Sequence, residues 1–349
     1  MGYTTIQNVA IKGISTVVPK KVVSNRNSNL FKTEKEANKF ITVSGIEERR
    51  HVEENVCTSD LCFEACELLI NKLNWNKDDI EILIMVTQTP DYIIPNMAII
   101  MQDRLNLPTS TVCFDLSLGC SGYVYGLSVI SNFLSMGNFS KGILLVGETL
   151  SKQCSPLDKV TFPLFGDAGT ATALQHEKGN KMQFNLWSDG SGHKSLYIPD
   201  GGYRNRFNQN SLKLIEDAIG NKRTSLDTYM DGNEVFSFGI KRVPKEVLDF
   251  FKYFEIKPEK IDFCIFHQAN KFMNEMIRKK VGFKKDQALY SLEKYGNTGS
   301  ATIPLTISHI NLESDDLKLF LCGFGIGLSI GMVYIEAKNK FINIFNEYD

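Results

Sequence analysis

The chain has 349 residues, of which 43% are hydrophobic and 23% charged, and its 39 Lys and Arg residues nearly balance 40 Asp and Glu residues. This composition is typical of a soluble protein with a sizeable core, and it excludes disordered, fibrous and disulfide-dense classes. The net charge of −1 provides no overall attraction to nucleic acid or to an anionic membrane, so any basic docking surface must be local.

The first residues, MGYTTIQNVA, contain no basic segment followed by an apolar run, so we predict no secretion signal and expect a cytoplasmic location. Residues 116–140 and 319–335 carry no charge, but both segments contain several glycines. The second segment is also shorter than the roughly 20 residues of a membrane-spanning helix. We interpret the first segment as a buried helix and the second as two buried strands around a turn, with no membrane partner.

Strand-like and helical segments alternate along the chain, which is typical of α/β layers rather than of an all-β protein. Periodicity predicts helices over 59–73 and 122–136 and buried strands over 81–87, 112–116 and 142–147. The polar segment 193–233, rich in Gly and Asn, is interpreted as surface loops or a lid between two halves.

The eight cysteines form no CxxC pair. Cys62 and Cys66 lie four residues apart on one face of a predicted helix. A metal site there would need two further ligands nearby, so we interpret both as small core side chains and expect no metal. With no secretion signal, the thiols are expected to be reduced.

A weak internal duplication is visible between the two parts of the chain. The segment WNKDDIEILIMVTQTP (75–90) has a counterpart in VLDFFKYFEIKPEKIDFCIFHQAN (247–270), where a helix, a polar turn and a buried strand lead to a polar strand end. In each half a small-residue loop and a helix then follow. We therefore predict two halves, 1–176 and 177–349, with a site at their junction.

Cys120 lies in the sequence LGCSG, where a predicted strand changes to the uncharged helix. Glycines on both sides permit the tight turn that exposes a nucleophile, and a helix N terminus stabilises a thiolate. The alternative, a buried small side chain beside a packing glycine, is equally compatible with the spacing alone.

Three further segments are ambiguous when each is considered alone. His267 follows six strand-like residues and begins the sequence HQAN, although a lone histidine there is more often a hydrogen-bonded core residue. Asn297 lies in YGNTGS, which is also ordinary turn chemistry. The loop GFGIG (323–327) offers unobstructed backbone N–H groups for an oxyanion hole, but a glycine hairpin is the commoner explanation.

Taken together and in this order, these segments resemble the thiolase superfamily and, within it, β-ketoacyl-acyl-carrier-protein synthase III. The resemblance extends over nearly the whole chain. It rests on SGIEERR (44–50), FDLSLGCSGYVYGL (114–127), FGDAGTATAL (165–174), MDGNEVFSFGIKRVP (230–244), FHQAN (266–270), YGNTGSATIPL (295–305) and GFGIGLSIG (323–331). It implies a five-layered αβαβα fold built from two duplicated halves, and a homodimer.

The resemblance also implies a decarboxylative condensation of an acyl thioester with malonyl-acyl-carrier-protein, as in fatty acid biosynthesis. Cys120 would accept the acyl group, and His267 and Asn297 would bind the malonyl thioester carbonyl and stabilise the enolate. The backbone N–H groups of Cys120 and Ile326 would form a second oxyanion hole. No cofactor is expected, because the substrates are carried on coenzyme A or on the phosphopantetheine of acyl carrier protein.

Substrate-binding roles are implied for Asn270, which would hold the pantetheine arm, and for Phe324 and Ile94 at the acyl pocket. Ile94 occupies the position where the family often has a phenylalanine that closes the acyl tunnel, so a roomier pocket and a longer or branched primer are expected. The tryptophan and arginine that often bind the adenine of coenzyme A are replaced at Lys39, Phe40 and Val43. An acyl-carrier-protein donor therefore becomes plausible.

A basic segment follows HQAN, with Lys271, Arg278, Lys279 and Lys280, and it is a candidate docking surface for an acidic carrier protein. A solvated helix face explains it equally well, because Phe272 replaces the family's docking arginine.

Other functions on the same scaffold fit the sequence less well. An acyltransferase that passes the acyl group to an amine or hydroxyl acceptor is the main alternative. A thiolase is disfavoured because Cys322 precedes the glycine loop and Asn297 is present, and a non-catalytic carrier-binding module is disfavoured by the intact Cys, His and Asn.

Overall fold

The computed structural model describes residues 2–310, 312, 316–338 and 340–348. Its strands are β1 (Gly2–Pro19), β2 (Val22–Ser24), β3 (Glu48–Arg50), β4 (Ile80–Val86), β5 (Val112–Leu116), β6 (Lys141–Thr149), β7 (Asp167–Ser188), β8 (Leu196–Tyr197), β9 (Ile215–Glu216), β10 (Lys222–Arg223), β11 (Tyr229–Met230), β12 (Phe263–Phe266), β13 (Leu317–Gly325), β14 (Ser329–Ala337) and β15 (Ile342–Tyr348). Its helices are α1 (Glu34–Ser44), α2 (Thr58–Leu73), α3 (Met97–Arg104), α4 (Gly122–Ser135), α5 (Gly232–Phe254), α6 (Lys271–Val281), α7 (Leu292–Tyr295) and α8 (Thr302–Ile310). The predicted helices and strands of the first half are confirmed to within two residues at each end.

Two sheets share their two longest strands. In the first sheet β4 pairs in parallel with β5 and β6, β6 pairs antiparallel with residues 167–175 of β7, and these pair with the second part of β1. In the second sheet β12, β13 and β14 lead to residues 181–188 of β7, which pair with residues 2–7 of β1. The predicted boundary between residues 176 and 177 therefore falls inside a strand that contributes to both sheets.

The alternation of side chains along β4 separates the layers. Ile82, Ile84 and Val86 pack in a central cluster with residues of α4, α8 and the second sheet, whereas Leu83 and Met85 pack outward against α2 and α3. On the other side of the molecule, β12, β13 and β14 pack outward against α5 and α6. The order helices, sheet, α4 with α8, sheet, helices confirms the predicted five layers.

The central position of α4 explains why its sequence carries no charge. Nine of its residues are buried, among them Tyr123, Leu127, Ile130 and Leu134, because both sheets cover it. The segment 319–335 forms the hairpin of β13 and β14, as predicted. Among the described residues no helix is both long enough and apolar enough to cross a bilayer.

The duplication is visible in the order of elements. In the first half α2, a 3-10 turn at Lys77–Asp79, β4, α3, β5, α4 and β6 follow one another. In the second half α5, a 3-10 turn at Pro258–Lys260, β12, α6, a parallel bridge at Ala288, α8 and β13 repeat that order. The ends of β4 and β12 are therefore corresponding positions, and both face the junction between the halves.

Candidate active site

Cys120 lies in the turn between β5 and α4, and its side chain is 8% exposed. The turn after β13 approaches it closely, because a Cβ at Gly325 would lie only 2.8 Å from the Cys120 Sγ atom. Gly325 also has φ of +150°, so a side chain there would be strained as well as too close. The glycine-rich loop therefore packs directly on the thiol, with the backbone N–H of Ile326 facing it.

Burial raises the pKa of the Cys120 thiol to about 11. Hydrogen bonds from the backbone N–H groups of Ile326 and Cys120 oppose this rise, and the nearby carboxyl group of Glu148 adds to it. The net shift is opposite to the thiolate stabilisation expected from the helix N terminus, because the loss of water outweighs the two N–H contacts. The two N–H groups are nevertheless placed as an oxyanion hole beside the sulfur requires.

His267 follows β12 and is 2% exposed. Its Nδ1 atom lies 2.8 Å from Thr302 Oγ1, and its ring meets the Phe324 ring edge to face at 5.8 Å between centroids. Burial lowers the pKa of His267 to about 3, and the Gly299 carbonyl opposes this only in part. The imidazole is therefore neutral at physiological pH, with Nε2 as the nitrogen left for a substrate.

Asn297 is 6% exposed and lies where the two halves pair through their backbones. Its N–H donates to the Leu164 carbonyl at 2.9 Å, and its own carbonyl accepts from the Gly166 N–H at 3.0 Å. The side-chain Oδ1 accepts from the Gly299 N–H at 2.9 Å. Because Oδ1 is occupied, the amide is held with Nδ2 as a donor, and this nitrogen makes no hydrogen bond within the described residues.

A chain of direct contacts connects the three predicted catalytic residues. Cys120 packs under the glycine-rich loop that carries Phe324, and Phe324 packs on His267. The Thr302 hydroxyl that contacts His267 also lies 3.0 Å from the carbonyl of Gly299, whose N–H fixes Asn297. The structure therefore brings together residues from both halves that are up to 177 positions apart in the sequence.

Glu148 is a site residue that the sequence analysis missed. Its fully buried carboxylate accepts hydrogen bonds from Ser300 Oγ at 2.8 Å, Thr89 Oγ1 at 3.0 Å and the Gln88 N–H at 3.0 Å. Burial raises its pKa to about 7, against the effect of these donors. The signal in the sequence is the single acidic residue after the buried run GILLVG, at the same strand edge as Thr87.

A cavity of about 650 Å³ opens beside Cys120. Its walls include apolar side chains at Ile93, Leu150, Leu196 and Ile198, and polar ones at Gln88, Asn96, Ser117 and Gln153. His267, Asn297 and Phe324 are not among the described lining residues, whereas their neighbours Gly299, Ile326 and Gly327 are. Ile94, predicted at the acyl pocket, is 80% exposed and is not among the described lining residues, whereas its neighbour Ile93 lines the cavity.

The remaining predicted binding residues lie on or next to α6. The Asn270 side chain accepts from the Met273 N–H at 2.8 Å and so caps the helix, outside the cavity wall. Arg278 is only 8% exposed, pairs with Glu275 at 2.9 Å and donates to the Phe283 carbonyl at 2.6 Å. Arg278 therefore cannot contribute to an exposed docking surface, contrary to its predicted role, whereas Lys271, Lys279 and Lys280 are exposed.

Comparisons with known proteins agree in family and fold. Residues 114–190 match the domain family 3-oxoacyl-[acyl-carrier-protein] synthase III, and residues 252–337 match its C-terminal domain family. The chain is similar to the β-ketoacyl-[acyl-carrier-protein] synthase III of Caldanaerobacter subterraneus, with 32% identity over 91% of this chain and 95% of that protein. The synthase III of Natranaerobius thermophilus is 33% identical over 95% of this chain and all of that protein.

Among solved structures, the chain is similar to a 3-oxoacyl-(acyl-carrier protein) synthase from Burkholderia xenovorans. The TM-score is 0.92 and the identity 33%, with 99% of both chains covered.

Proposed function

Because the chain belongs to the β-ketoacyl-[acyl-carrier-protein] synthase III family, we propose that it condenses an acyl thioester with malonyl-acyl-carrier-protein to give a β-ketoacyl-acyl-carrier-protein and carbon dioxide in fatty acid biosynthesis. The observation that supports this reaction here is the chain of contacts that links Cys120, through the glycine-rich loop and Phe324, to His267 and then, through Thr302 and Gly299, to Asn297. The reaction makes the protein an acyltransferase that needs neither a metal nor an organic cofactor.

The first step loads the acyl group on Cys120. The sulfur attacks the carbonyl carbon of the donor thioester while the N–H groups of Cys120 and Ile326 bind the developing oxyanion. The carbon–sulfur bond to the carrier then breaks, and the proton from the cysteine thiol leaves with the carrier thiol. Because the resting thiol has a pKa of about 11, its deprotonation accompanies the attack rather than preceding it.

The second step forms the new carbon–carbon bond. The malonyl thioester oxygen accepts hydrogen bonds from His267 Nε2 and Asn297 Nδ2, carbon dioxide leaves, and the negative charge collects on that oxygen. For Nε2 to donate, the single proton of the neutral imidazole must be on Nε2, so the Thr302 hydroxyl, which donates to the Gly299 carbonyl in the resting protein, must turn to donate to Nδ1 when the malonyl thioester binds. The enolate carbon attacks the acyl thioester, and the Cys120 sulfur leaves and is reprotonated.

Exposed Lys271, Lys279 and Lys280 support docking of an acidic acyl carrier protein, and we place the reaction in the cytoplasm, where such carriers would be met. A homodimer is supported by the free edge of β5, where Val112 is 37% exposed, and by exposed apolar side chains at Tyr92, Ile93 and Ile94. In such a dimer Ile94 would reach the partner subunit's cavity, in keeping with its exposed position.

Intact-protein mass spectrometry tests the proposal. The protein is incubated with an acyl-CoA or the matching acyl-carrier-protein, with and without malonyl-acyl-carrier-protein. We expect an acyl adduct that disappears with the malonyl donor as β-ketoacyl product forms. An adduct that persists with the malonyl donor and is released only to an amine or hydroxyl acceptor would instead support acyl transfer without condensation.

A further inference from the structure

Gln88 is the second residue after β4 and lies in the wall of the cavity, and its backbone N–H and carbonyl are both hydrogen-bonded. Its N–H donates to Glu148 Oε2 at 3.0 Å, and its carbonyl accepts from Gln153 Nε2 at 3.1 Å. Glu148 is fully buried and holds two neighbouring hydroxyl groups as well. The direction in which the Gln88 side chain leaves the backbone is therefore set by the protein and needs no ligand.

The Gln88 amide lies against the residue that precedes the nucleophile. A Cβ at Gly119 would collide with the Gln88 amide oxygen, so the glycine makes room for this side chain next to Cys120. Neither the amide oxygen nor the amide nitrogen of Gln88 has a hydrogen-bond partner among the described residues, although the neighbouring Thr87 and Thr89 hydroxyl groups are both paired with Glu148. The side chain thus presents one acceptor and two donors to the cavity, beside the residue that precedes Cys120.

Its surroundings extend this polar wall. The Ser117 hydroxyl and the Asn96 amide also line the cavity without a hydrogen-bond partner in the described chain, and Asn96 does not cap α3, since Asp115 accepts from the Met97 and Ala98 N–H groups instead. Other lining residues are apolar, among them Ile93, Leu196 and Ile198. A plain alkyl chain would leave the polar wall unpaired once water is displaced, and unpaired polar groups weaken binding.

We propose that Gln88 is a specificity-determining residue whose amide binds a hydroxyl group near the thioester of the acyl primer, so that the enzyme prefers hydroxyacyl over plain alkyl donors. A hydroxyl group both donates and accepts, which matches the amide. Because Gln88 contacts the residue before Cys120, the group it reaches lies within the first carbons of the acyl chain. This inference rests on the proposed function, in which the acyl group is carried on Cys120.

The test uses the full-length protein with butyryl-CoA and with (R)- and (S)-3-hydroxybutyryl-CoA, and repeats the comparison with acyl-carrier-protein donors. The rate of Cys120 acylation is followed by intact mass, and kcat/KM for condensation is measured with each donor. We expect the wild-type protein to prefer one hydroxybutyryl donor over butyryl by at least about tenfold, since a site built to bind a hydroxyl discriminates against its absence. In Gln88→Met, which keeps the length without the amide, the ratio should fall to about one or reverse, with butyryl loading retained.

Gln88→Asn serves as the matched variant, because it keeps the amide but shortens its reach, and it should retain part of the preference. Equal kcat/KM for butyryl and hydroxybutyryl donors in the wild-type protein, or an unchanged preference in Gln88→Met, would overturn the inference about Gln88. Neither result would contradict the proposed condensation. Failure of the butyryl donor and of both hydroxybutyryl donors, on either carrier, to acylate Cys120 would instead overturn the proposed function. If Gln88→Met does not fold, the wild-type ratio and the Gln88→Asn ratio still decide the question.

Discussion

The ends of β4 and β12 occupy corresponding positions in the two halves, and each carries a glutamine that the fold treats differently. Gln268 is fully buried, its Nε2 donates to the Phe266 carbonyl at 2.7 Å, and its Oε1 accepts from the Ser291 N–H at 3.1 Å. The Gln88 backbone is held by Glu148 and Gln153, but its side-chain amide has no partner among the described residues and faces the cavity. The Gln268 amide is paired within the protein, whereas the Gln88 amide has no partner in the part of the chain that the structure describes and is available to a ligand.

This difference suits the two halves to two different tasks, acyl binding in the first half and hydrogen-bond donation in the second. In the second half the interior is closed around His267, whose ring and backbone are held by Thr302 and Asn274, as suits a donor that must keep one orientation. In the first half the strand end is open around Cys120, as suits a nucleophile that must accept an acyl chain. A duplicated unit therefore supplies a rigid donor site and an adaptable acyl site from one topology.

Removal of the nucleophile should have the largest effect on both acyl loading and condensation. Cys120→Ala should show no acyl adduct on intact mass, and condensation should fall by at least about 10³-fold, because no covalent intermediate can form. Cys154→Ala, a buried cysteine outside the oxyanion hole, serves as a control that should still acylate. Acylation of the Cys120→Ala protein at an undiminished rate would show that the acyl group is loaded elsewhere.

The hydrogen-bond donors His267 and Asn297 should be needed for decarboxylation but not for loading of the acyl group on Cys120. His267→Ala and Asn297→Ala should each lower the rate of malonyl decarboxylation by about 10²- to 10³-fold, the cost of one oxyanion donor, while Cys120 still acylates. The measurement is carbon dioxide release beside intact-mass loading in the same sample. Loss of loading to the same extent as decarboxylation would show that the two tasks are not divided between the halves.

Glu148 connects the two regions, because its carboxylate holds Gln88 of one half and Ser300 of the other. Its pKa is raised from 4.5 to about 7, so its ionisation opposes folding. The free energy of unfolding should therefore fall as the pH rises from about 4.5 to 7, by on the order of 3 kcal/mol from this group alone, and stay level above that. Urea unfolding of the wild-type protein and Glu148→Gln across this range measures the difference.

Asp167, whose pKa burial raises to about 6, titrates in both proteins and cancels in that difference. A difference between wild type and Glu148→Gln that is independent of pH would show that Glu148 is not protonated on folding.

A smaller effect is expected from the hydroxyl behind His267. Thr302→Val should lower decarboxylation by about five- to tenfold, the worth of one neutral hydrogen bond, because the imidazole is no longer held with its proton on Nε2. Thr302→Ser should restore the rate, and Cys120 loading should be unchanged in both. Since the His267 pKa is about 3, His267 itself should add no inflection to the rate between about pH 5 and pH 9. A Thr302→Val protein with wild-type decarboxylation would contradict the positioning role.

Much of the fold followed from local patterns. The five segments predicted as helix or strand in the first half required only periodicity, and the uncharged helix α4 was identifiable because a helix covered by two sheets has no polar face. The strand-to-helix turn at Cys120 and the polar quartet after β12 were likewise visible in the sequence. The sharing of β1 and β7 between sheets was not, because register across long strands is a tertiary property.

The wrong or missed predictions concern side chains that are buried in the folded protein. Arg278 was counted with its charged neighbours, but helical spacing places it beside Asn274, Ile277 and Val281 on the inner face of α6, where Glu275 and a backbone carbonyl satisfy it. The Cys120 pKa depends on how much water the glycine-rich loop excludes. Glu148 gains its role from donors on two distant segments, residues 87–89 and Ser300. The partners of Arg278 lie within five residues of it and were visible in the sequence, whereas the surroundings of Cys120 and Glu148 come from distant segments and were not.

The most direct test of the division between the halves is a single turnover on pre-acylated enzyme. Protein carrying one acyl group on Cys120 is mixed with malonyl-acyl-carrier-protein labelled with ¹³C in its free carboxyl group. Adduct loss, labelled carbon dioxide and β-ketoacyl product are then followed together. We predict equal amounts of all three in the wild-type protein, and an adduct that persists without carbon dioxide release in His267→Ala. Adduct loss in the wild-type protein without an equal amount of β-ketoacyl product would contradict the account.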